Sequence, residues 1–233
     1  MKITVINGTE KRGVTCKLKN IFLEQFQSAE ITEYYLPKDC PSFCAGCTSC
    51  FMRGEETCKD YLYVNTIEKS LKEADLIVMT SPVYVLHATG AMKALLDHLG
   101  YRWMSHRPAP EMFKKRAVII TQGVGAGAKS TAKDIKDSLS WWGISKIGVF
   151  SGILINDIAW DRLPESRRKK LAYKITKLAK RFAKINYDKP AHTKLIIKVK
   201  FSVSRIIQKK KVGLDNEYWY NNGWLGKSRP WKS

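Results

Sequence analysis

Five short apolar runs, each followed by a stretch with helical periodicity, constrain the fold of this chain more than any other feature. The runs of strand length are residues 3–6, 31–36, 75–80, 116–121 and 144–150. The stretches with helical spacing of apolar residues are 16–26, 64–74, 88–99, 130–142 and 162–185. Strands that alternate with helices form parallel sheets, because two parallel strands must be joined by a crossover, which is usually a helix. The pattern predicts an α/β fold with a doubly wound, five-stranded parallel sheet.

Three loops are predicted to meet at one edge of this sheet. They follow the first, third and fourth strands, at residues 8–15, 81–84 and 121–127. Ligands of doubly wound sheets bind beyond the carboxyl ends of the strands, so these loops form the candidate site. Beyond residue 187 the periodicity weakens. We therefore predict one domain over residues 1–187 and an extension over residues 188–233.

The charge of the chain is concentrated in its last third. The net charge is +20 over 233 residues, but residues 158–233 carry 21 Lys and Arg against 5 Asp and Glu, whereas residues 1–157 carry 20 and 16. No apolar run approaches the roughly 18 residues of a transmembrane helix. The N-terminus shows no signal-peptide pattern. These features lead us to expect a cytoplasmic protein.

The loop after the first strand has the sequence of a phosphate-binding turn. Asn7 and Gly8 end a buried run, and a helical pattern begins near Val14, so backbone N–H groups and the helix dipole would face a ligand there. The loop lacks the third glycine of a dinucleotide fingerprint. Val14 also replaces the lysine of a nucleoside-triphosphate loop, which argues against an ATPase or GTPase. A monophosphate needs only hydroxyls, N–H groups and a cation, which fits a flavin mononucleotide (FMN).

Three segments resemble the NAD(P)H-dependent FMN reductase family of flavodoxin-like flavoproteins. Residues 8–15 resemble its Gly-Ser-x-Arg-x-x-x-Thr phosphate loop, although Glu10 stands where the family often has Pro. Residues 74–84 are similar to its second flavin loop, and residues 90–98 to the helix that follows. The resemblance covers about residues 1–150 and implies a flavodoxin-like fold.

The resemblance also implies a set of flavin contacts and an activity. The phosphate contacts would be Thr9, Lys11, Gly13 and Thr15. The residues beside the ring would be Ser81, Pro82, Val83, Tyr84 and Val85, with Thr121, Gln122, Gly123, Gly125 and Gly127 on the other rim. The family's enzymes pass electrons from NAD(P)H through FMN to a small acceptor such as a quinone, a nitro compound or free flavin. No side chain is expected to be catalytic, because the flavin carries the chemistry.

A cysteine-rich loop lies between the second strand and the second helix. Its spacing resembles that of the iron–sulfur flavoproteins and predicts a [4Fe-4S] cluster on Cys44, Cys47, Cys50 and Cys58. Structural zinc is the second interpretation, because zinc knuckles usually lie farther apart. A metal-free, reduced loop is the third. With a cluster, the alternative function is an iron–sulfur flavoprotein that exchanges electrons with a ferredoxin-like protein.

The basic extension mixes apolar, aromatic and cationic residues. Residues 194–211 could form a helix on a partner or on anionic lipid, which predicts a peripheral membrane contact as one possibility. The interpretation that we favour is a homo-oligomer, a dimer or tetramer, in which the tail packs across the partner and helps to roof the flavin. Stacking of its aromatic residues on nucleic acid is disfavoured, because no segment matches a known nucleic-acid module.

Overall fold

The computed structural model describes residues 1–154 and 159–232. Its centre is a five-stranded parallel sheet with the order β2-β1-β3-β4-β5, which confirms the α/β prediction. The strands are β1 (Lys2–Asn7), β2 (Glu30–Tyr35), β3 (Leu76–Pro82), β4 (Arg116–Val124) and β5 (Lys146–Leu154). Both β4 and β5 extend beyond the predicted runs, because the glycine-containing segment after the apolar core of β4 still pairs with β5.

The helices form one layer on each face of the sheet. The helices are α1 (Val14–Leu23), α2 (Ser49–Met52), α3 (Tyr61–Glu73), α4 (Gly90–His98), α5 (Ala128–Trp141), α6 (Glu165–Ala183), α7 (Leu195–Lys209) and α8 (Leu214–Asn221). Helices α3, α4 and α5 cover one face, and α1 and α6 cover the other. Sequence periodicity located the five long helices of the sheet layers and the approximate range of α7. It missed the short helices α2 and α8.

The central strands are apolar throughout because both faces of the sheet are covered. In β3, Leu76 and Val78 pack under α1 and α6, whereas Ile77 and Met79 pack under the opposite layer. Successive side chains of a strand point to opposite faces, so a doubly covered strand reads as a continuous apolar run. The strand order also reverses direction between β1 and β3, the point at which flavodoxin-like sheets bind their ligand.

The C-terminal extension packs on its own chain. Helices α7 and α8 enclose a group that we call the aromatic cluster: Met104, Phe113, Ile197, Phe201, Trp219 and Trp224. Phe201 lies 4.7 Å from the Trp219 ring and 5.5 Å from the Trp224 ring, measured between centroids. The tail residues of this cluster are therefore buried against the loop between α4 and β4. Among the described residues, the helices are too short or too polar for any of them to cross a bilayer.

Candidate functional site

The loops after β1, β3 and β4 line one cleft, which we call the edge cleft. It encloses about 110 Å³ and is otherwise open to solvent. Its lining residues are Thr9, Lys11, Gly13, Val14, Thr15, Pro82, Val83, Tyr84, Gln122, Gly123 and Val124. A larger cleft of about 620 Å³ lies at the opposite end of the strands, beside Asp75 and Arg116. There the Arg116 guanidinium is already bonded to two backbone carbonyls.

One end of the edge cleft is the N-terminus of α1. No side chain caps this helix. Within residues 1–154 and 159–232, no acceptor binds the backbone N–H groups of Val14, Thr15 and Cys16. The helix dipole adds partial positive charge at this end, and the Lys11 side chain is a nearby cation. Free N–H groups, a dipole and a lysine together suit a bound phosphate.

Gly8 fixes the position of this loop against β3 and α4. Its N–H donates to the Thr80 carbonyl at 2.7 Å, and the Thr89 hydroxyl donates to the Gly8 carbonyl at 2.6 Å. A Cβ atom on Gly8 would lie 2.9 Å from the Thr80 carbonyl oxygen and 3.0 Å from Thr89 Oγ1. The turn therefore needs glycine for space. Thr89 also caps α4 by accepting from the Met92 N–H at 3.1 Å, so it joins the first loop to the second.

The loop after β3 ends in a tight hairpin with unusual backbone angles. Tyr84 and His87 exchange two backbone hydrogen bonds, and the intervening Val85 and Leu86 have φ of 49° and 66°. Both angles lie in the left-handed region, which bulky and β-branched residues rarely adopt. Val85 is 93% exposed at the tip. Asp134 holds the base of the hairpin, since its Oδ2 accepts from the Ala88 N–H at 3.1 Å.

Two glycines of the third loop pack closely on Val83. A Cβ on Gly123 would approach Val83 Cγ2 to 2.6 Å, and a Cβ on Gly127 would approach Val83 Cγ1 to 2.5 Å. Gly127 also has a φ of +87°, which disfavours other residues. These close approaches bring the second and third loops together as the far wall of the edge cleft.

Comparison with known proteins identifies the family. The family model for NADPH-dependent FMN reductases matches residues 1–154. This chain belongs to that family. The match ends with β5, so it covers the whole sheet and all three loops of the edge cleft. The chain is accordingly a flavin-dependent oxidoreductase that uses FMN and NAD(P)H.

Individual relatives fall in two groups of this family. The chain is 26% identical over 164 residues to an NADPH azoreductase of a Bacillus species, covering 70% of this chain and 78% of the relative. It is 25% identical over 153 residues to an iron-sulfur flavoprotein of Archaeoglobus fulgidus, covering 64% of this chain and 67% of the relative. Among solved structures, an FMN-dependent NADH-azoreductase of Bacillus anthracis in complex with FMN has the same fold. That likeness has a TM-score of 0.58 at 16% identity and covers 78% of this chain and all of the other.

The structure brings most of the predicted flavin contacts together in the edge cleft, and the others lie outside its lining. Nine of them line the edge cleft, together with Val14 and Val124, which are not among the predicted contacts. Ser81 and Thr121 are fully buried, and their hydroxyls bond to backbone oxygens. Val85 lies at the exposed hairpin tip. Gly125 bonds to the Leu154 carbonyl and Gly127 packs on Val83, so neither is in the lining.

The four predicted cysteine ligands line a second cavity, which we call the cysteine cavity. It measures about 300 Å³ and includes Cys44, Cys47, Cys50 and Cys58. Burial raises the pKa of the Cys50 thiol, and the nearby charges of Cys58 and Cys44 add to that increase. The N–H and hydroxyl of Ser49 lower the pKa of the exposed Cys47 thiol. Cys40 is outside the lining, and burial raises its pKa to about 11.

One corner of the cysteine cavity holds a tighter group. Ligand atoms of Cys58, Asp60 and His98 all lie within 4.8 Å of one another. Asp60 is 6% exposed, and its Oδ2 lies 3.8 Å from His98 Nε2 without a hydrogen-bond partner among the described residues. His98 Nε2 is also 3.1 Å from the Ser42 carbonyl oxygen. This corner offers one carboxylate, one imidazole and one thiol, a donor set that suits a single divalent cation such as zinc.

Sequence reasoning missed the ion pairs that support this cavity. The Arg107 guanidinium is 3% exposed, and it binds Glu55 at 3.1 Å, Asp215 at 2.5 Å and the Cys50 carbonyl. Arg102 pairs with Glu55 at 2.5 Å and with Glu68 at 2.7 Å. These partners come from distant parts of the chain, so no local spacing could reveal them. Thr89 was more accessible to prediction, because Thr before a helical pattern is a capping signal.

Proposed function

We propose that this family member holds FMN in the edge cleft, with its phosphate at the N-terminus of α1. The observation that carries the proposal is the convergence of the uncapped helix, two threonines and a lysine at one end of a cleft. The other end is lined by Pro82, Tyr84 and Gln122. Polar donors at one end, and a proline, an aromatic ring and an amide at the other, suit the phosphate and the ring system of FMN.

The chain's own residues would bind and orient the flavin rather than react with it. Bound FMN would supply the redox chemistry, taking a hydride from NAD(P)H and delivering electrons to a second substrate. Lys11 and the α1 N–H groups would neutralise the phosphate. The open side of the cleft would leave space for a nicotinamide and then for a small acceptor, a quinone, a nitro compound or free flavin. The similarity to an NADPH azoreductase adds an azo compound to these candidate acceptors.

The absorption spectrum of the purified protein tests this proposal directly. We expect a flavin spectrum, or its recovery when FMN is added to apoprotein, and anaerobic bleaching by NADPH or NADH. A comparison of bleaching rates with the two nucleotides would decide the preferred donor. A colourless protein that does not take up FMN would refute the assignment.

A pair of glycine variants tests the position of the flavin. Gly8→Ala places a methyl group against the Thr80 carbonyl, so we expect FMN affinity to fall by on the order of tenfold through displacement of the phosphate loop. Gly100→Ala is the matched control, because its Cβ would meet only Phe51 at an ordinary 3.7 Å. Equal affinity in both variants would contradict the phosphate position.

A second candidate function is that of an iron–sulfur flavoprotein, with a [4Fe-4S] cluster in the cysteine cavity. Its support is that Cys44, Cys47, Cys50 and Cys58 line one cavity, and that an iron-sulfur flavoprotein is among the relatives. Thiolates are the protein ligands of such clusters. The electron partner would then be a ferredoxin-like protein. Helix α4 would separate the two sites, since Thr89 at its start contacts the phosphate loop and His98 at its end lines the cavity.

Metal analysis of anaerobically prepared protein tests the cluster. We expect iron and acid-labile sulfide in equal amounts, and their loss in Cys44→Ser. Cys16→Ser is the control, because Cys16 lies on α1 outside the cavity. Stoichiometric zinc without sulfide would instead support a zinc site, and its retention in Cys44→Ser would place the zinc at the corner formed by Cys58, Asp60 and His98. A metal-free protein would leave the loop as a reduced structural element, with the FMN proposal unaffected.

The cellular setting and assembly also belong to this proposal. All six cysteines are free thiols, which suits the reducing cytoplasm.

The exposed side chains of Tyr84, Val85 and Leu86 at the rim of the edge cleft form an apolar tip that a second copy of the chain could cover. Sedimentation analysis with and without FMN would measure the expected homodimer.

A further inference from the structure

Helix α7 has one face that packs on the rest of the chain and a second, apolar face that is uncovered. The covered face consists of Ile197, Phe201, Ser204 and Gln208, which are buried against the rest of the chain. The uncovered face, which we call the outer stripe, consists of Leu195, Ile196, Val199, Val203, Ile206 and Ile207. These six side chains are between 42% and 75% exposed. The aromatic cluster contacts only the opposite side of α7. Packing within the chain therefore does not explain why the solvent side is apolar.

The outer stripe is continuous along the helix. Its members recur at intervals of three and four residues, so their side chains are neighbours on one surface. From Ile196 to Ile207 the stripe runs for about 16 Å at the helical rise per residue. Single exposed apolar residues are ordinary, but a contiguous stripe marks a surface that binds something.

Positive charge flanks the outer stripe on both sides. At 100° per residue, Lys198, Arg205 and Lys209 fall on one flank and Lys200 on the other. The sequence contains no acidic residue between Asp188 and Asp215. Two of these cations are partly engaged, since Lys200 Nζ donates to Ser140 Oγ at 2.7 Å and the Arg205 guanidinium donates to the Gly226 carbonyl at 3.3 Å. In the described part of the chain, none of the four is paired with a carboxylate. The face is therefore apolar in the middle and cationic at its borders.

We infer that the outer stripe binds the surface of a bilayer that contains anionic lipids. An interfacial helix places its apolar residues among the acyl chains and its Lys and Arg at the phosphates of the headgroups. A second copy of the chain fits less well, because pairing two stripes would bring identical cationic flanks together. The contact would lie flat on the membrane. It is independent of the edge cleft, which belongs to other elements.

Vesicle sedimentation with the full-length, FMN-loaded protein tests the inference. The probes are vesicles of phosphatidylcholine alone and vesicles of phosphatidylcholine with phosphatidylglycerol. We expect binding to the anionic vesicles that weakens strongly when salt is raised from about 0.1 M to about 0.5 M, because the charges become screened. We expect no binding to the neutral vesicles.

Three double variants separate the apolar and charged contributions. Val199→Ser with Val203→Ser keeps the charge and is expected to weaken binding by on the order of tenfold, because two apolar side chains no longer leave water. Lys198→Gln with Lys209→Gln keeps the stripe and is expected to weaken binding by about 25-fold, at about fivefold for each charge. The control is Leu62→Ser with Tyr173→Ser, which changes two exposed apolar residues on α3 and α6. Circular dichroism and flavin content would verify that each variant is folded.

Several outcomes would overturn the inference. One is a wild-type protein that stays in the supernatant with anionic vesicles at low salt. Another is a stripe variant that binds like the control, which would reduce the interaction to charge alone. A third is a wild-type oligomer that the stripe variant dissociates while vesicle binding is unchanged, which would assign the stripe to a second copy of the chain.

Discussion

The edge cleft and the aromatic cluster are built in opposite ways. The cleft is shaped by the backbone: two bulky residues with positive φ, glycines in close contact with Val83, and a helix end without a cap. The cluster is shaped by large side chains that bury one another, with Phe201 and Trp219 both fully buried. On the proposed function, we expect ligand binding to depend on the first region and stability on the second. Substitutions in the two regions should therefore affect different measurements.

The largest expected effect is on stability, from Trp219→Ala. This side chain packs on Phe201 and Trp224, and its Nε1–H donates to the His106 carbonyl at 2.5 Å. We expect the free energy of unfolding to fall by about 3–5 kcal/mol, as for other large-to-small core changes. FMN affinity should stay the same wherever both proteins are folded.

Chemical denaturation and FMN titration measure the two quantities. Tyr220→Ala is the control, because Tyr220 is the neighbour of Trp219 on α8 and is 72% exposed. Loss of FMN affinity in folded Trp219→Ala would show that the two regions are coupled, and would favour a tail that helps to roof the flavin.

The next effect concerns the ion pair between Arg107 and Asp215, which joins α8 to the residues that support the cysteine cavity. Burial raises the pKa of Asp215, but the hydrogen bond from His106 and the charge of Arg107 outweigh it and hold the pKa below its ordinary value. We expect Asp215→Asn to destabilise the protein by about 1.5–3 kcal/mol at pH 7, the range for a hydrogen bond to a charged group.

The pH dependence of this effect follows from the lowered pKa. The carboxylate contributes its full stabilisation above the unfolded pKa of about 3.9 and loses it as the pH falls through the lower folded value. Urea denaturation from pH 7 down to pH 3 should therefore show a constant difference between the variant and wild type above about pH 4, and a difference that begins to narrow below it. Glu217→Gln, an exposed change on the same helix, should show no such narrowing. A difference that stays constant with pH would argue against the charge as its origin.

The smallest effect should come from relief of strain in the hairpin. Val85→Asn with Leu86→Gly introduces residues that prefer the left-handed region, so we expect a gain of about 1 kcal/mol in stability. Val212→Asn is the control, since Val212 is 95% exposed and has a negative φ, and it should change stability by less than about 0.5 kcal/mol. Thermal unfolding gives the stabilities and FMN titration the affinities.

The two readouts of the hairpin variant answer different questions. If Val85 contacts the ring, as the family resemblance implies, affinity should fall while stability rises. A fall in stability would contradict the assignment of strain.

The same contrast explains what the sequence could predict. The sheet and the edge cleft follow from local signals, because apolar runs mark strands and parallel strands bring the loops after β1, β3 and β4 to one edge. The aromatic cluster has no such signal. In α8 the only buried residue is Trp219, so the helix shows no periodic apolar face. The Arg107 pairs connect positions 50 or more residues apart, which only the tertiary structure can reveal.

The ion pair between Arg107 and Asp215 has a consequence for how such a chain can vary. The part matched by the family model ends at residue 154, yet Arg107, Met104 and Phe113 within it are covered by the extension. A shorter relative without α7 and α8 would expose two apolar side chains and leave a buried guanidinium with one fewer carboxylate. Loss or gain of the extension would therefore require compensating substitutions at these three positions, so the two parts are expected to change together.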